Sequence, residues 1–358
     1  MCLMQLNTLS LTDFRLHKRR TLEFLTPTTI LVGANASGKT AILEAIYLLT
    51  SGTSFRAKVI AELIAFEREF ARITAVLQDD AAEQTKLQVL FTRGVLQGKK
   101  VPARTFFVND VKRQRRRMIS YVSSVLFRPE DMRLVEGSPG RRRGFLDAVL
   151  SQVSQEYERA VRAYEQTLWR RNKLLVQVRA GEQPRTSLNY WTQALLKHGL
   201  LIQEIRRQFF GHAAGVVFPL RFQAVYVPSV VSSQRQQEYA GREIAAGHTL
   251  IGPHKDDFRI ELSLQGEQHD VAAYGSRGQQ RLAVLWLKLC ERSYIQSHLE
   301  TMPLLLLDDI WSELDDDSRA LVEQILPEQQ AIITTTHLEL AQELQYKHPQ
   351  RTQLVSLV

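Results

Sequence analysis

Residues 33–40 read Gly33-Ala34-Asn35-Ala36-Ser37-Gly38-Lys39-Thr40, an order of residue types suited to holding a polyphosphate. Glycines at both ends let backbone N–H groups converge on phosphate oxygens, and a helix starting there adds the positive end of its dipole. Lys39 is placed to reach the β- and γ-phosphates of ATP, and the Thr40 hydroxyl to bind Mg²⁺. A second group lies far along the chain, where four leucines at 304–307 precede Asp308 and Asp309. A buried strand ending in two acids delivers carboxylates at its carboxyl end, where open α/β sheets hold ligands. Asp308 then suits Mg²⁺ through water, and Asp309 suits polarising the attacking water. A third group, Gly275-Ser276-Arg277-Gly278-Gln279-Gln280-Arg281, opens a long apolar stretch, and Ser276 is placed to cap a helix there. The chemistry specified is nucleotide hydrolysis. GTP is disfavoured, because Asn172-Lys173-Leu174-Leu175 lacks the acid of the guanine-reading Asn-Lys-x-Asp motif.

These groups need elements to position them. Thr29-Ile30-Leu31-Val32 reads as a buried strand leading into the glycine turn, with a helix following over 41–49. Segments 72–77 and 86–91 read as a hairpin. From 141 to 178 apolar residues recur in steps of three and four (Leu146, Leu150, Val153, Tyr157, Val161, Tyr164, Leu168), predicting one long helix with Gly144 near its start. Gly181-Glu182-Gln183-Pro184 ends it. A second stripe (Leu188, Trp191, Leu195, Ile202, Ile205, Phe209) completes an αα-hairpin on the order of 40–50 Å long. Strands at 304–307 and 331–335 carry the unbroken apolar runs of a parallel sheet. The expected class is α/β, a P-loop head with an inserted helical arm, the αα-hairpin. Its divisions are 1–135 for the first head segment, 136–220 for the arm and 221–358 for the second head segment.

Composition narrows the setting. With 44% hydrophobic and 23% charged residues the chain is globular, and no apolar run approaches the ~18 residues of a membrane span. The start lacks the basic region, apolar core and cleavage site of a signal peptide. Cys2 and Cys290 are the only cysteines, which excludes a disulfide framework and a CxxC-type zinc site. A cytoplasmic protein with no membrane partner is expected. Lys and Arg number 46 against 38 acids, a formal charge of +8, and the arginines are clumped at 17–20, 111–117 and 140–144. A solvated basic face explains such clumps, and so does a surface tracking DNA phosphates. For the second reading the candidates are Arg113, Arg115, Arg116, Arg117, Arg141, Arg142 and Arg143.

The glycine-serine segment at 275–279 resembles the signature of ATP-binding-cassette proteins, usually Leu-Ser-Gly-Gly-Gln. It is followed in the same order by the two acids and by Ser312-Glu313-Leu314-Asp315 as a D-loop. The strings at 126–147 (LFRPEDMRLVEGSPGRRRGFLD), 249–258 (TLIGPHKDDF) and 304–315 (LLLLDDIWSELD) resemble the RecF family of bacterial recombination and repair ATPases, related to structural-maintenance-of-chromosomes proteins. The resemblance covers nearly the whole chain and implies that the head is a cassette-type P-loop ATPase head, its inserted arm (αα-hairpin) standing in place of a long coiled coil. It implies an ATP-dependent homodimer that binds double-stranded and gapped DNA, works with RecR and RecO to load RecA, and is reset by slow, DNA-dependent ATP hydrolysis. It implies that residues 33–40, Asp308 and Asp309 form the nucleotide and magnesium site, and that Ser276 and Gly278 reach the partner's γ-phosphate. It also implies that Arg15 and His337 touch nucleotide and that Glu130 stands at the Q-loop place. A transporter subunit or another chromosome-maintenance-like ATPase is the alternative. The chain departs from the family pattern at Ala36, where Gly is usual, at Ala41, where Asn is usual, and at Asp13, again in place of Asn. A methyl at residue 36 is harmless at negative φ and strained at positive φ. His254-Lys255-Asp256-Asp257 has no role legible in the sequence beyond a hydrogen-bond cluster or a metal site.

Overall fold

The structure, a computed structural model, describes residues 4–311, 316–326 and 329–357, so the expected D-loop at 312–315 lies outside the described residues. Contacts gather the chain into two compact units, residues 1–129 with 295–358, and residues 130–294.

In the first unit, period-two alternation builds an antiparallel sheet with one buried face. β1 (Gln5–Phe14) turns inward Leu6, Leu9, Leu11 and Phe14, β4 (Phe70–Gln78) Ala71, Ile73, Ala75 and Leu77, and β5 (Gln84–Thr92) Leu87, Val89 and Phe91. With β2 (His17–Glu23), β8 (Arg104–Val108) and β9 (Val111–Arg113) the order is β2-β1-β4-β5-β8-β9. The short pair β6 (Val95–Leu96) and β7 (Lys99–Lys100) decorates the β5–β8 connection. The hairpin expected at 72–77 and 86–91 is the β4–β5 pair.

The second sheet has continuous apolar strands and is wholly parallel. Its order is β10 (Ser124–Phe127), β14 (Leu304–Asp308), β15 (Ala331–Thr335), β3 (Thr28–Gly33) and β16 (Thr352–Leu357). Helix α1 (Lys39–Ser51) packs against β1, β4 and β5 and also against β3, β10, β14 and β15, so it is buried nearly all round. It ends at Gly52, whose φ of +73° forms a left-handed cap with its N–H on Leu48 O. The short helix α2 (Arg115–Ile119) follows β9, and α10 (Asp316–Ile325) and α11 (Leu338–Lys347) flank β15 in the sequence.

The second unit holds α3 (Arg133–Glu136), α4 (Pro139–Val153), α5 (Gln155–Arg179), α6 (Asn189–Ala213), α7 (Ser233–Ala246) and α8 (Val271–Tyr274), and α9 (Arg277–Leu299) begins in it. The single helix expected over 141–178 is two. Ser154 is extended (φ −123°, ψ 113°) and its Oγ accepts the Tyr157 N–H, so the chain breaks at an N-cap and runs straight through Gly144. Each arm helix, α5 or α6, is therefore roughly 37 Å long at 1.5 Å per residue, shorter than expected. The unit also outgrows the 136–220 insertion. It includes a three-stranded antiparallel sheet of β11 (Phe222–Val227), β12 (Asp257–Leu264) and β13 (Glu267–Asp270), because β11 packs on α6 and β12 on α4.

Asp256 fastens these elements. Its fully buried carboxylate accepts from Gln203 Nε2 (2.8 Å), Arg206 NH1 (2.9 Å), the Ser229 N–H (2.8 Å) and the Tyr226 hydroxyl. Asp257 receives the Arg142 fork, with Nε at 2.6 Å and NH2 at 2.9 Å. His254 Nε2 donates to Thr249 O, so its Nδ1 accepts from the Tyr164 hydroxyl at 2.7 Å. The 254–257 segment is a hydrogen-bond hub joining α4, α5, α6 and β11. Among the described residues no group of three or more His, Cys, Asp or Glu could hold a metal ion.

Candidate functional site

Parallel strands end on one edge of the second sheet. That edge places the phosphate loop after β3, the two acids at the end of β14 and His337 after β15. The loop is locally determined. A Cβ on Gly33 would meet Ser37 Oγ and Leu357 O at 2.6 and 2.7 Å, and Gly38 sits at φ +97°. The Ser37 N–H turns back to Ala34 O at 3.2 Å. Lys39, 6% exposed, lays its ammonium over the loop, donating to Gly33 O at 2.7 Å and Ala34 O at 3.0 Å. An ammonium has three donors, so a third is left to point at a phosphate. Ala34, Asn35, Ala36 and Ser37 span the loop between the glycines, with Ala36 at φ +67°.

The two distant groups meet in the structure. Thr40 Oγ1 donates to Asp308 Oδ1 at 3.0 Å, and Thr334 Oγ1 donates to the same oxygen at 3.0 Å. The Thr334 oxygen accepts the Asp309 N–H at 2.8 Å and holds the turn after β14, where Asp309 adopts φ +54°. Hydroxyl and carboxylate oxygens side by side are hard donors that fit Mg²⁺, which takes one or two protein oxygens and completes its shell with phosphate and water. His337 is exposed at the start of α11, its N–H on Thr335 Oγ1 at 3.1 Å.

Three residues escaped the sequence reading. Thr334 is the first. Glu44 is the second: it is fully buried on α1 and takes the Arg15 guanidinium bidentately, Nε at 2.8 Å and NH2 at 2.7 Å. Arg15 also donates to Glu62 O at 2.7 Å, so its fork is committed largely within the fold. A lone carboxylate inside the apolar run of α1 was the available signal. The third is His17, buried beneath the loop with Nε2 donating to Gly38 O at 3.2 Å. Burial pushes its pKa down against the support of that carbonyl, and nearby Arg20 adds to the lowering. The sequence presented it only as part of a basic clump.

Ser276 and Gln279 form a reciprocal cap at the start of α9. The Gln279 N–H reaches Ser276 Oγ at 3.2 Å and the Ser276 N–H reaches Gln279 Oε1 at 2.9 Å. Ser276 stays exposed, Gly278 is half-buried, and Glu130 is exposed in the turn after β10. The arginine candidates divide. Arg115 donates to Ser51 O (2.6 Å) at the end of α1, Arg142 holds Asp257, and Arg143 donates to Asp256 O (2.9 Å). Arg113, Arg117 and Arg141 are exposed, and Arg116 is half-buried.

A parallel sheet carrying a phosphate loop and a threonine–aspartate pair defines a P-loop ATPase head, and the serine-capped helix start at Ser276 precedes the acids in the sequence order of the cassette type. The RecF/RecN/SMC N terminal domain family matches residues 5–350. The chain is 36% identical over 371 residues to the DNA replication and repair protein RecF of Herpetosiphon aurantiacus, with 94% of each covered. It is 32% identical over 361 residues to that of Bacillus cereus, covering 94% of this chain and 93% of the relative. A solved recombination mediator protein RecF with ATPrS superposes with a TM-score of 0.83 at 27% identity over 94% of both chains. An Smc head bound to the C-winged helix domain of ScpA gives 0.51 at 16% identity, covering 94% of this chain and 90% of that one, a likeness of fold. The chain belongs to the RecF family of DNA replication and repair proteins.

Proposed function

We propose that the chain is an ATP-driven DNA clamp that binds duplex at single-strand gaps as a dimer and, with RecO and RecR, helps load RecA. The observation that carries the nucleotide half is the Thr40–Asp308 contact, which joins the phosphate loop to the acid across the parallel sheet. In this reading Lys39 and the loop amides orient the β- and γ-phosphates, and Thr40 and Asp308 hold Mg²⁺. The metal, when bound, neutralises phosphate charge. Asp309 orients and deprotonates the attacking water, its turn held by Thr334. Ser276, exposed on a helix N-terminus, serves the γ-phosphate of a second copy, so two chains complete each site. Hydrolysis is slow and releases the dimer.

The DNA half rests on the family and on the excess of basic residues. Contacts go to phosphates with little base readout, because a gap is defined by structure and not by sequence. The exposed Arg113, Arg117 and Arg141 are the contacts, and the internally bonded Arg115, Arg142 and Arg143 hold the fold. Gapped random-sequence duplex titrated with ATP or ADP across a salt series tests this. ATP should tighten binding, with log K falling by roughly 0.9 per phosphate contacted for each log of salt. Binding indifferent to nucleotide and salt would leave a bare ATPase and favour another cassette-type role.

A further inference from the structure

The arm carries aromatic surface that its own packing does not use. Helix α5 buries Tyr157, Ala160, Tyr164, Thr167, Arg171, Leu175 and Val178, the stripe that faces its neighbours. Trp169 and Lys173 fall off that stripe, and Trp169 is 57% exposed with the Lys173 ammonium 3.9 Å from its ring centre. The adjacent Arg170 crosses to α6, its guanidinium 5.5 Å from the Trp191 ring. Trp191 meets Tyr190 edge to face at 5.1 Å, and Tyr190 is 70% exposed. Scattered exposed apolar residues are ordinary, but two cation–π pairs, Lys173 with Trp169 on α5 and Arg170 with Trp191 between α5 and α6, and the Tyr190 ring against Trp191 gather three aromatics on adjoining stretches of the two packed arm helices, and grouped aromatics mark binding surfaces.

Charge names the partner. Between residues 166 and 203 lie Arg170, Arg171, Lys173, Arg179, Arg185 and Lys197 against one acid, Glu182. Arg171 turns inward to Glu243 at 2.7 Å, and the other five cations are exposed. A protein partner would meet this surface through an acidic face. An unpaired nucleic-acid strand meets both features at once, because its bases stack on aromatic faces without regard to sequence while its phosphates pair with the flanking cations. Duplex cannot use the rings, since its bases are already stacked. We infer that the Trp169–Arg170–Lys173–Tyr190–Trp191 surface of the arm is a stacking platform for single-stranded DNA. This deepens the reading above and rests on it for DNA as the partner: the duplex is held by backbone contacts, and the arm takes the unpaired strand of the gap.

Labelled (dT)20 and a 20-base-pair random duplex, titrated separately into the full chain by fluorescence anisotropy, test it. Stacking contributes about 1–3 kcal/mol per base, roughly 5- to 150-fold in affinity. Combined Trp169→Ala and Tyr190→Ala should therefore weaken (dT)20 binding at least ten-fold, leaving duplex binding and ATP hydrolysis unchanged. Trp169→Phe alone, which keeps a ring, should stay within about three-fold of wild type. The wild-type slope for (dT)20 should be near −0.7 per phosphate neutralised. Wild-type duplex binding without (dT)20 binding would overturn the platform and leave the clamp standing. Unchanged (dT)20 affinity in the double variant would also overturn it, assigning the patch to a protein partner instead. Failure of both nucleic acids would overturn the platform and the DNA reading together.

Discussion

Ala36 sits at φ +67°, a left-handed conformation that costs a non-glycine residue about 1–2 kcal/mol. Glycine removes that cost and returns part of it as extra freedom in the unfolded chain. Ala36→Gly should raise unfolding free energy by about 1 kcal/mol in urea denaturation. An unchanged or lower stability would mean that the loop does not hold this turn. Lys39→Ala removes the only side-chain charge in the loop, so ATP hydrolysis should fall roughly 100-fold or more while the fold survives. Normal turnover by a folded Lys39→Ala protein would overturn the assignment. The two acids separate by their partners. Asp308 receives Thr40 and Thr334, so Asp308→Asn should impair Mg²⁺-dependent nucleotide binding. Asp309 is positioned through its backbone, so Asp309→Asn should bind ATP normally and hydrolyse it slowly. Equal loss of ATP affinity in both variants would contradict the division of roles.

At the scale of elements, the arm is held by buried polar bonds as well as by apolar packing. Asp256 has no exposure and Arg206 only 3% at its side chain. Removing one partner of such a buried pair costs about 3–5 kcal/mol, because the other charge is stranded. Asp256→Ala should destabilise the protein by that amount in urea unfolding followed by tryptophan fluorescence, and a change below 1 kcal/mol would show that the hub is dispensable. This hub marks where sequence reading stops. Strands β3, β14 and β15, helix α1 and the Thr40–Asp308 meeting were legible, because local motif and apolar run agree there. Asp256 and Glu44 were not, because a buried carboxylate is defined by donors many residues away: Gln203 and Tyr226 for the one, Arg15 for the other. Ser154 was missed for a different reason. The apolar steps continue across it, and only its extended φ and ψ reveal two helices. The same distance effect divided the arginines, since Arg142 and its acid, Asp257, are 115 residues apart.

For the whole molecule, the proposed site is shared between two chains. Lys39, Thr40 and Asp308 are complete within one chain, whereas the exposed Ser276 cap has its proposed use on a partner. Avidity then follows, because two basic surfaces brought onto one duplex bind more tightly than either alone. Ser276→Arg adds bulk and positive charge at the proposed junction without touching the loop. It should leave ATP binding by the single chain nearly intact while blocking dimer formation. Sedimentation velocity of wild type, Asp309→Asn and Ser276→Arg, with ATP or ADP and with gapped duplex, addresses the central claim most directly. A dimer on DNA is expected for wild type only with ATP, a longer-lived one for Asp309→Asn, and a monomer throughout for Ser276→Arg. A wild-type sedimentation coefficient unmoved by ATP, or a Ser276→Arg protein that dimerises normally, would contradict it.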